Sequence, residues 1–276
     1  MSARGESTWK RRVAAGFTRA AADYERAAPV QQAVAAQLAQ EIRRRQRLPP
    51  RRVLELGCGT GYLTRALLPA WPGAEWWVSD LAPAMVAQCR RRLGDPSGVC
   101  WLVMDGERPA VRGPFDLICA SLTAQWFQDL PAALAHLAAL LAPGGLLALS
   151  TMGRDSFAAW RDACRASGVA AGVPAYPDLA GWRRAWPGDG ALECLEEQHT
   201  LRYRDGLEFL RALRAIGAAT PRADYRPLTP GALRRLLRQG SGEAGYHVLY
   251  GFYRAEAASV VTSASERSIL LEKALG

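Results

Sequence analysis

The chain has 276 residues, 49% of them hydrophobic, enough for one large domain with a substantial core. Its formal net charge is +9, carried almost wholly by arginine because lysine occurs only at Lys10 and Lys273; such a surface attracts polyanions, and equally reflects a GC-rich coding bias. No apolar run reaches the length of a membrane span, Met1 to Arg12 lacks a signal-peptide core, and six scattered cysteines without a C-x-x-C pair fit buried thiols in a reducing cytoplasm better than disulfides or a metal site.

Residues 8–46 carry a helical period. Val13, Phe17, Ala20, Ala21 and Tyr24 recur on one face, then Val30, Val34, Leu38 and Ile42, with Pro29 expected to separate two helices. Leu48-Pro49-Pro50 ends that segment, and strand and helix alternate from 52 to about 152. Val53 to Leu56 is an apolar strand carrying Glu55; it runs into Gly57-Cys58-Gly59-Thr60-Gly61 and a helix from Tyr62. Trp76 to Asp80 is a second strand, followed by a helix with Pro83 near its start. Cys100 to Asp105 and Phe115 to Ser121 are the third and fourth strands. Leu130 to Leu141 is a helix stopped by Pro143-Gly144-Gly145, and Leu146 to Thr151 is the fifth strand. Alternation of this kind specifies a parallel sheet with helices on both faces.

Residues 153–190 break the rhythm with a helix around Phe157–Ser167, a loop rich in Gly and Pro, and Leu179–Trp186; an insertion there is expected to form a lid over the site. Leu192 to Tyr203 reads as a long strand, Gly206–Ile216 and Pro230–Gln239 as helices, and Tyr246 to Arg254 as a last strand, hairpin-linked and antiparallel. Residues 1–256 are therefore expected to be one domain, with 8–46 as an N-terminal helical cap; 257–276 form a polar tail, a peripheral helix or disorder.

The glycines at 57, 59 and 61 let the backbone turn sharply and approach a ligand closely, and the helix that follows offers free N–H groups. A dinucleotide turn is spaced G-x-G-x-x-G. This one is G-x-G-x-G after Glu55, with Asp80 ending the next strand. It resembles motif I of the Rossmann-like methyltransferases that use S-adenosylmethionine. That resemblance implies an α/β fold with a seven-stranded, mostly parallel sheet and an antiparallel last strand. It implies that Glu55 faces the methionine amino group and that Gly57, Cys58, Gly59 and Gly61 pack against methionine and ribose. Asp80 suits the two ribose hydroxyls, with Leu81 and Met85 beside it; a helix-capping aspartate is the alternative. Asp105 would meet the adenine amino group, with Gly106 and Ser121 completing the cofactor contacts; Asp105 serves equally as a turn residue. His136, His199 and His247 lie far apart in sequence, and no metal ligand set is expected.

The flanks narrow the resemblance. Val13-Ala14-Ala15-Gly16-Phe17-Thr18-Arg19-Ala20-Ala21-Ala22-Asp23-Tyr24-Glu25 is similar to the N-terminal signature of the malonyl-acyl-carrier-protein O-methyltransferases of biotin synthesis, the BioC family. Ser121 to Trp126, Leu210 to Ala218 and Tyr246 to Gly251 resemble the same family, so the similarity runs from about Val13 to Arg254. It implies methylation of the free carboxyl of a malonyl thioester, on acyl carrier protein or on coenzyme A. A carboxylate is already ionised at neutral pH, so such chemistry needs alignment and dehydration rather than a general base. The resemblance implies that Tyr24 sits over the methionine end and the acceptor, where a buried core tyrosine is the rival reading. Gln125 and Trp126 follow the fourth strand at the carboxyl edge of the sheet. Arg211 and Arg214 lie three apart on one helix, either able to hold a carboxylate, and Arg211 is the better family match; both serve equally as solvated arginines. Arg11, Arg12, Arg19, Arg43, Arg44 and Arg45 offer a surface to an acidic carrier protein. Two other functions remain open: a methyltransferase acting on another small acid or a quinone, and an RNA-binding relative, which the lack of interleaved basic and aromatic runs disfavours.

Overall fold

The computed structural model describes residues 3–221, 225, 228–239 and 242–256; the tail at 257–276 lies outside the described residues. Three helices open the chain: α1 (Ala3–Ala20), α2 (Tyr24–Ala27) and α3 (Pro29–Arg45). The break expected at Pro29 is there, but a further turn at residues 21–23 separates α1 from α2 and sets Tyr24 at a helix start. The central unit follows as β1 (Arg52–Leu56), α4 (Tyr62–Leu67), β2 (Glu75–Asp80), α5 (Pro83–Leu93), β3 (Val99–Val103), β4 (Phe115–Ala120), α6 (Leu130–Ala139) and β5 (Leu141–Met152). The rest is α7 (Ala158–Ala166), α8 (Leu179–Arg184), β6 (Gly190–Arg202), α9 (Gly206–Ala215), α10 (Pro230–Gln239) and β7 (Glu243–Ala255).

The strands form one seven-stranded sheet in the order β3-β2-β1-β4-β5-β7-β6. Neighbours pair in parallel from β3 to β5, and β7 runs antiparallel to both β5 and β6. From β1 the chain builds β2 and β3 to one side and β4 and β5 to the other. The crevice at the carboxyl ends of β1 and β4 is therefore the topological switch point, where open α/β sheets hold ligands. Both faces of the sheet are covered. Val53, Val78, Leu117 and Leu146 point to the side of α3 and α4, while Leu54, Ile118 and Leu147 pack with Leu134 and Leu137 of α6. This two-sided burial is why the central strands read as continuous apolar runs rather than as alternating ones.

Three segments differ from expectation. Pro143-Gly144-Gly145 lies inside β5 and does not separate a helix from a strand. Register jumps from Phe115↔Leu141 to Leu117↔Leu146, so these residues form a bulge. Gly144 has φ +76°, and a Cβ at Gly145 would stand 2.9 Å from the Phe115 carbonyl. Strands β6 and β7 pair along their whole length as a hairpin does, yet α9 and α10 intervene in place of a tight turn. The insertion at 153–190 divides in two. Its second part, α8, is pinned to the sheet: Trp182 and Trp186 are buried against β7, and a Cβ at Gly251 would overlap Trp186. Four cysteines are buried, but Cys100 is exposed because β3 is the sheet's edge.

Candidate active site

The glycine turn at the end of β1 adopts left-handed backbone at Gly57 (φ +65°), Gly59 (+54°) and Gly61 (+96°). Each glycine answers a different constraint. A Cβ at Gly57 would overlap the Thr123 side chain, and one at Gly61 would stand 2.8 Å from Cys89 Sγ, so Gly61 lets α4 approach α5. A Cβ at Gly59 meets no atom within 4 Å, because that backbone faces a cavity. Asp80 ties the turn to β2: the Gly59 N–H donates to its Oδ2 (2.9 Å) and the Ala82 N–H to its Oδ1 (2.8 Å). Burial raises the Asp80 pKa against these backbone donors, and each oxygen keeps a lone pair for a further donor.

Glu55 lies behind the turn, 1% exposed. Burial pushes its pKa up to about 8; the Thr64 hydroxyl and N–H at the start of α4 oppose that shift, and Asp80 adds to it. Its Oε2 has no partner. A buried carboxyl with one unused oxygen costs free energy unless a cation or donor arrives, so it fits a ligand ammonium group.

The first cavity, about 90 Å³, is lined by Gly57, Gly59, Asp80, Leu81, Met85, Asp105, Gly106 and Ser121, with Thr123 and Phe127. Three expected contacts lie outside this lining. Glu55 is behind the turn, Gly61 faces α5, and Cys58 packs its thiol against Cys89, which together with burial pushes the Cys58 pKa well up. The Cys58 N–H is already spent on the Ser79 carbonyl (2.8 Å). Trp9, Lys10, Val13 and Phe17 of α1, within the expected N-terminal cap, close the cavity from above, though only Val13 and Phe17 were expected on its apolar stripe. Trp9 and Val13 share the helical stripe that includes Phe17, the only sequence signal that pointed there.

A second cavity, about 360 Å³, adjoins the first, and Phe17, Tyr24, Leu122 and Trp126 line both. Phe17 meets Trp126 edge-on with centroids 5.4 Å apart. The Tyr24 pKa is strongly raised, first by burial and then by Asp80 and Tyr62, so it stays a phenol and a hydrogen-bond donor. Leu122 sits at φ +47°, a strained conformation for a branched residue. It is held there by its N–H to Ser150 Oγ (2.9 Å) and by Gln125 Nε2 donating to its carbonyl (2.5 Å). Gln125 thus braces the junction, and its Oε1 is buried without a partner. The outer walls come from Trp160 and Tyr176 of the insertion, Leu210 and Leu213 of α9, and Tyr246.

Arg214 lines this second cavity, and Arg211 does not. Both arginines are exposed on α9, so the lining favours Arg214 over the expected Arg211 by position alone. Arg45 is also removed from the expected docking surface. Its side chain is 8% exposed, paired with Glu41 and Glu193 and stacked 4.0 Å over the Phe252 ring. His247 is a buried structural residue, with Nε2 3.3 Å from Glu196 Oε2 and Nδ1 accepting from the Asp155 N–H (3.3 Å). Among the described residues, no cluster of His, Cys, Asp or Glu is placed to hold a metal ion.

A glycine turn at the switch point, an acid at the end of β2 and an antiparallel β7 define a Rossmann-like, S-adenosylmethionine-dependent methyltransferase. A family model described as a methyltransferase domain matches residues 54–147. The malonyl-[acyl-carrier protein] O-methyltransferase of Magnetococcus marinus is 43% identical over 257 residues, covering 91% of this chain and 94% of that protein. The biotin biosynthesis bifunctional protein BioCD of Bordetella avium is 42% identical over 257 residues, covering 91% of this chain and 54% of that protein. The solved structure of the YcgJ protein from Bacillus subtilis shares the fold with a TM-score of 0.57 at 15% identity, over 80% of this chain and 98% of that one. The chain belongs to the malonyl-[acyl-carrier protein] O-methyltransferase family.

Proposed function

We propose that this chain methylates the free carboxyl of a malonyl thioester on acyl carrier protein, giving the methyl ester that primes biotin synthesis. The observation that supports this reading best is the meeting of two cavities across Phe17, Tyr24, Leu122 and Trp126. The cofactor turn lies on one side and a larger, mostly apolar acceptor space on the other. When bound, S-adenosylmethionine supplies an electrophilic methyl group. In this reading Glu55 faces its ammonium group across the glycine turn and Asp80 receives its ribose hydroxyls. Asp105 meets the adenine.

The protein's part is alignment. Tyr24 donates its hydroxyl to the acceptor carboxylate, which is ionised at neutral pH and needs no base. Phe17 and Trp126 keep water from the reacting oxygen, which strengthens its nucleophilicity. Holding both reactants in line supplies roughly 7–11 kcal/mol of barrier lowering, so no acid or base need be invoked. Arg214 steadies the thioester in the outer cavity without neutralising the carboxylate. In this proposal residues 1–256 act as one domain, residues 8–46 cap the cofactor, and of the expected lid only 153–178 closes the acceptor side. No helix of the described residues is long and apolar enough to cross a membrane; a cytoplasmic setting and an acidic carrier partner, rather than nucleic acid, belong to the same reading. The test is the intact mass of malonylated carrier protein after incubation with enzyme and S-adenosylmethionine. One added methyl is expected, and a methyl gained only by some other acceptor would reject the assignment.

A further inference from the structure

The cofactor cavity holds about 90 Å³, well below the roughly 300–1,000 Å³ of ordinary small-molecule sites. Its floor is the rigid sheet edge and its roof is α1. At that volume the cavity is tight for a nucleoside with an amino-acid tail, so the position of α1 bears on ligand entry and exit. Several described contacts hold α1 down: Ala14 and Phe17 pack with Ala82 and Met85 at the start of α5, and the Thr220 hydroxyl donates to the Arg12 carbonyl (3.5 Å). The Trp9 indole donates to the Pro221 carbonyl (3.1 Å), Trp9 and Phe17 lean on Trp126, and Gly16 meets the Gly217 backbone.

A further tether is ionic. Lys10 Nζ lies 2.5 Å from Asp105 Oδ2 and also bonds Glu107 Oε2. Its side chain is 14% exposed, and that of Glu107 is 5% exposed. Glu107 does not belong to α1 or to the cavity lining. It is fixed by the N–H groups of Asp129 (2.8 Å) and Gln128 (3.0 Å), and its own N–H holds Asp105 Oδ1 (3.0 Å). Lys10 therefore reaches from the roof of the cavity to an acid pair held by backbone N–H groups, and one member of that pair, Asp105, lines the cavity. Both Asp105 oxygens are engaged, so its direction is set by this network rather than by solvent.

We propose that Lys10 is a latch and positioning residue: its ion pair with Asp105 and Glu107 clamps α1 over the bound cofactor, and cofactor exchange requires that pair to open. The inference rests on the first cavity being the cofactor's. A latch slows release more than it changes the chemistry, because Lys10 lines the first cavity but not the acceptor cavity. Charge-assisted bonds of this kind, partly shielded from water, govern off-rates by about tenfold or more.

The experiment measures release of S-adenosylhomocysteine by stopped-flow displacement, with hydrogen exchange of residues 8–20 in the free and bound protein. Lys10→Met should speed release about tenfold or more and erase the exchange protection that ligand confers on α1. Lys10→Arg should restore both. Removing Lys10 leaves the Glu107 charge buried, so the double variant Lys10→Met/Glu107→Gln is measured alongside; it should release ligand as fast as the single variant. Unchanged release and unchanged protection in these variants would overturn the latch. A wild-type protein that binds neither S-adenosylmethionine nor S-adenosylhomocysteine in calorimetry would sink the cofactor reading and the latch with it.

Discussion

The Gly59 N–H donates to Asp80 Oδ2 at 2.9 Å, so the glycine turn after β1 and the acid at the end of β2 are one hydrogen-bonded unit. The second oxygen is held by the Ala82 N–H at the start of α5. Asp80 thus shapes the turn as well as facing the cavity. Asp80→Asn keeps one acceptor oxygen and confronts one backbone donor with an amide. S-Adenosylmethionine affinity should fall by about 2–3 kcal/mol, and Asp80→Ala should abolish measurable binding. Calorimetry at wild-type affinity for either variant would remove Asp80 from the site.

Glu55 predicts a proton-linked cofactor affinity. Burial pushes its pKa up to about 8, so in the empty protein at pH 7 the carboxyl is mostly protonated. A ligand ammonium beside it favours the ionised form, so binding at pH 7 should release a proton, and affinity should rise with pH until about 8. The folded pKa lies above the unfolded one. The folded, cofactor-free protein therefore holds more protons between about 4.5 and 8, and this group's contribution to stability falls as pH rises through that window. Calorimetry in buffers of different ionisation enthalpy measures the released proton; no dependence on buffer would show that Glu55 does not meet a cation.

Gly57 and Gly59 should respond differently to alanine. At Gly57 the added Cβ overlaps Thr123 at a left-handed φ, which should cost about 3 kcal/mol of stability, seen as a lower denaturation midpoint. At Gly59 the protein offers no clash, so only about 1 kcal/mol of backbone strain is expected. Cofactor affinity should instead drop, since the methyl projects into the cavity. If Gly59→Ala binds normally, the cofactor does not lie on that backbone.

Tyr24 lines both cavities and stays protonated. Tyr24→Phe keeps the ring and removes the donor. Turnover should fall about 10- to 100-fold, the worth of one hydrogen bond to a charged group, with S-adenosylmethionine affinity intact. Equal turnover of the two proteins would assign Tyr24 to packing alone.

Arg211 and Arg214 are neighbours on α9, and only Arg214 lines the outer cavity. Arg214→Ala should raise KM for the malonyl thioester severalfold, and Arg211→Ala should leave it within twofold, as expected for a solvated arginine. The reverse order would mean that α9 rotates on substrate binding.

Much of this molecule was legible in one dimension because the signals are local. The Gly57–Gly61 turn, Asp80 and the alternation of strand and helix are set by backbone sterics and by periods of two and 3.6 residues, which neighbouring residues reveal. The Pro143-Gly144-Gly145 bulge was misread for the same reason: a local stop signal carries no information about the partner strand that absorbs it. The roof over the cofactor, the Lys10 network and the choice between Arg211 and Arg214 depend on which helix face meets which strand end. Those contacts join residues up to about two hundred positions apart, such as Trp9 and Pro221. Sequence determined the chemistry that the carboxyl edge of the sheet can perform; only tertiary packing decided what covers that edge, because burial is a property of surfaces brought together and not of the residues that carry them.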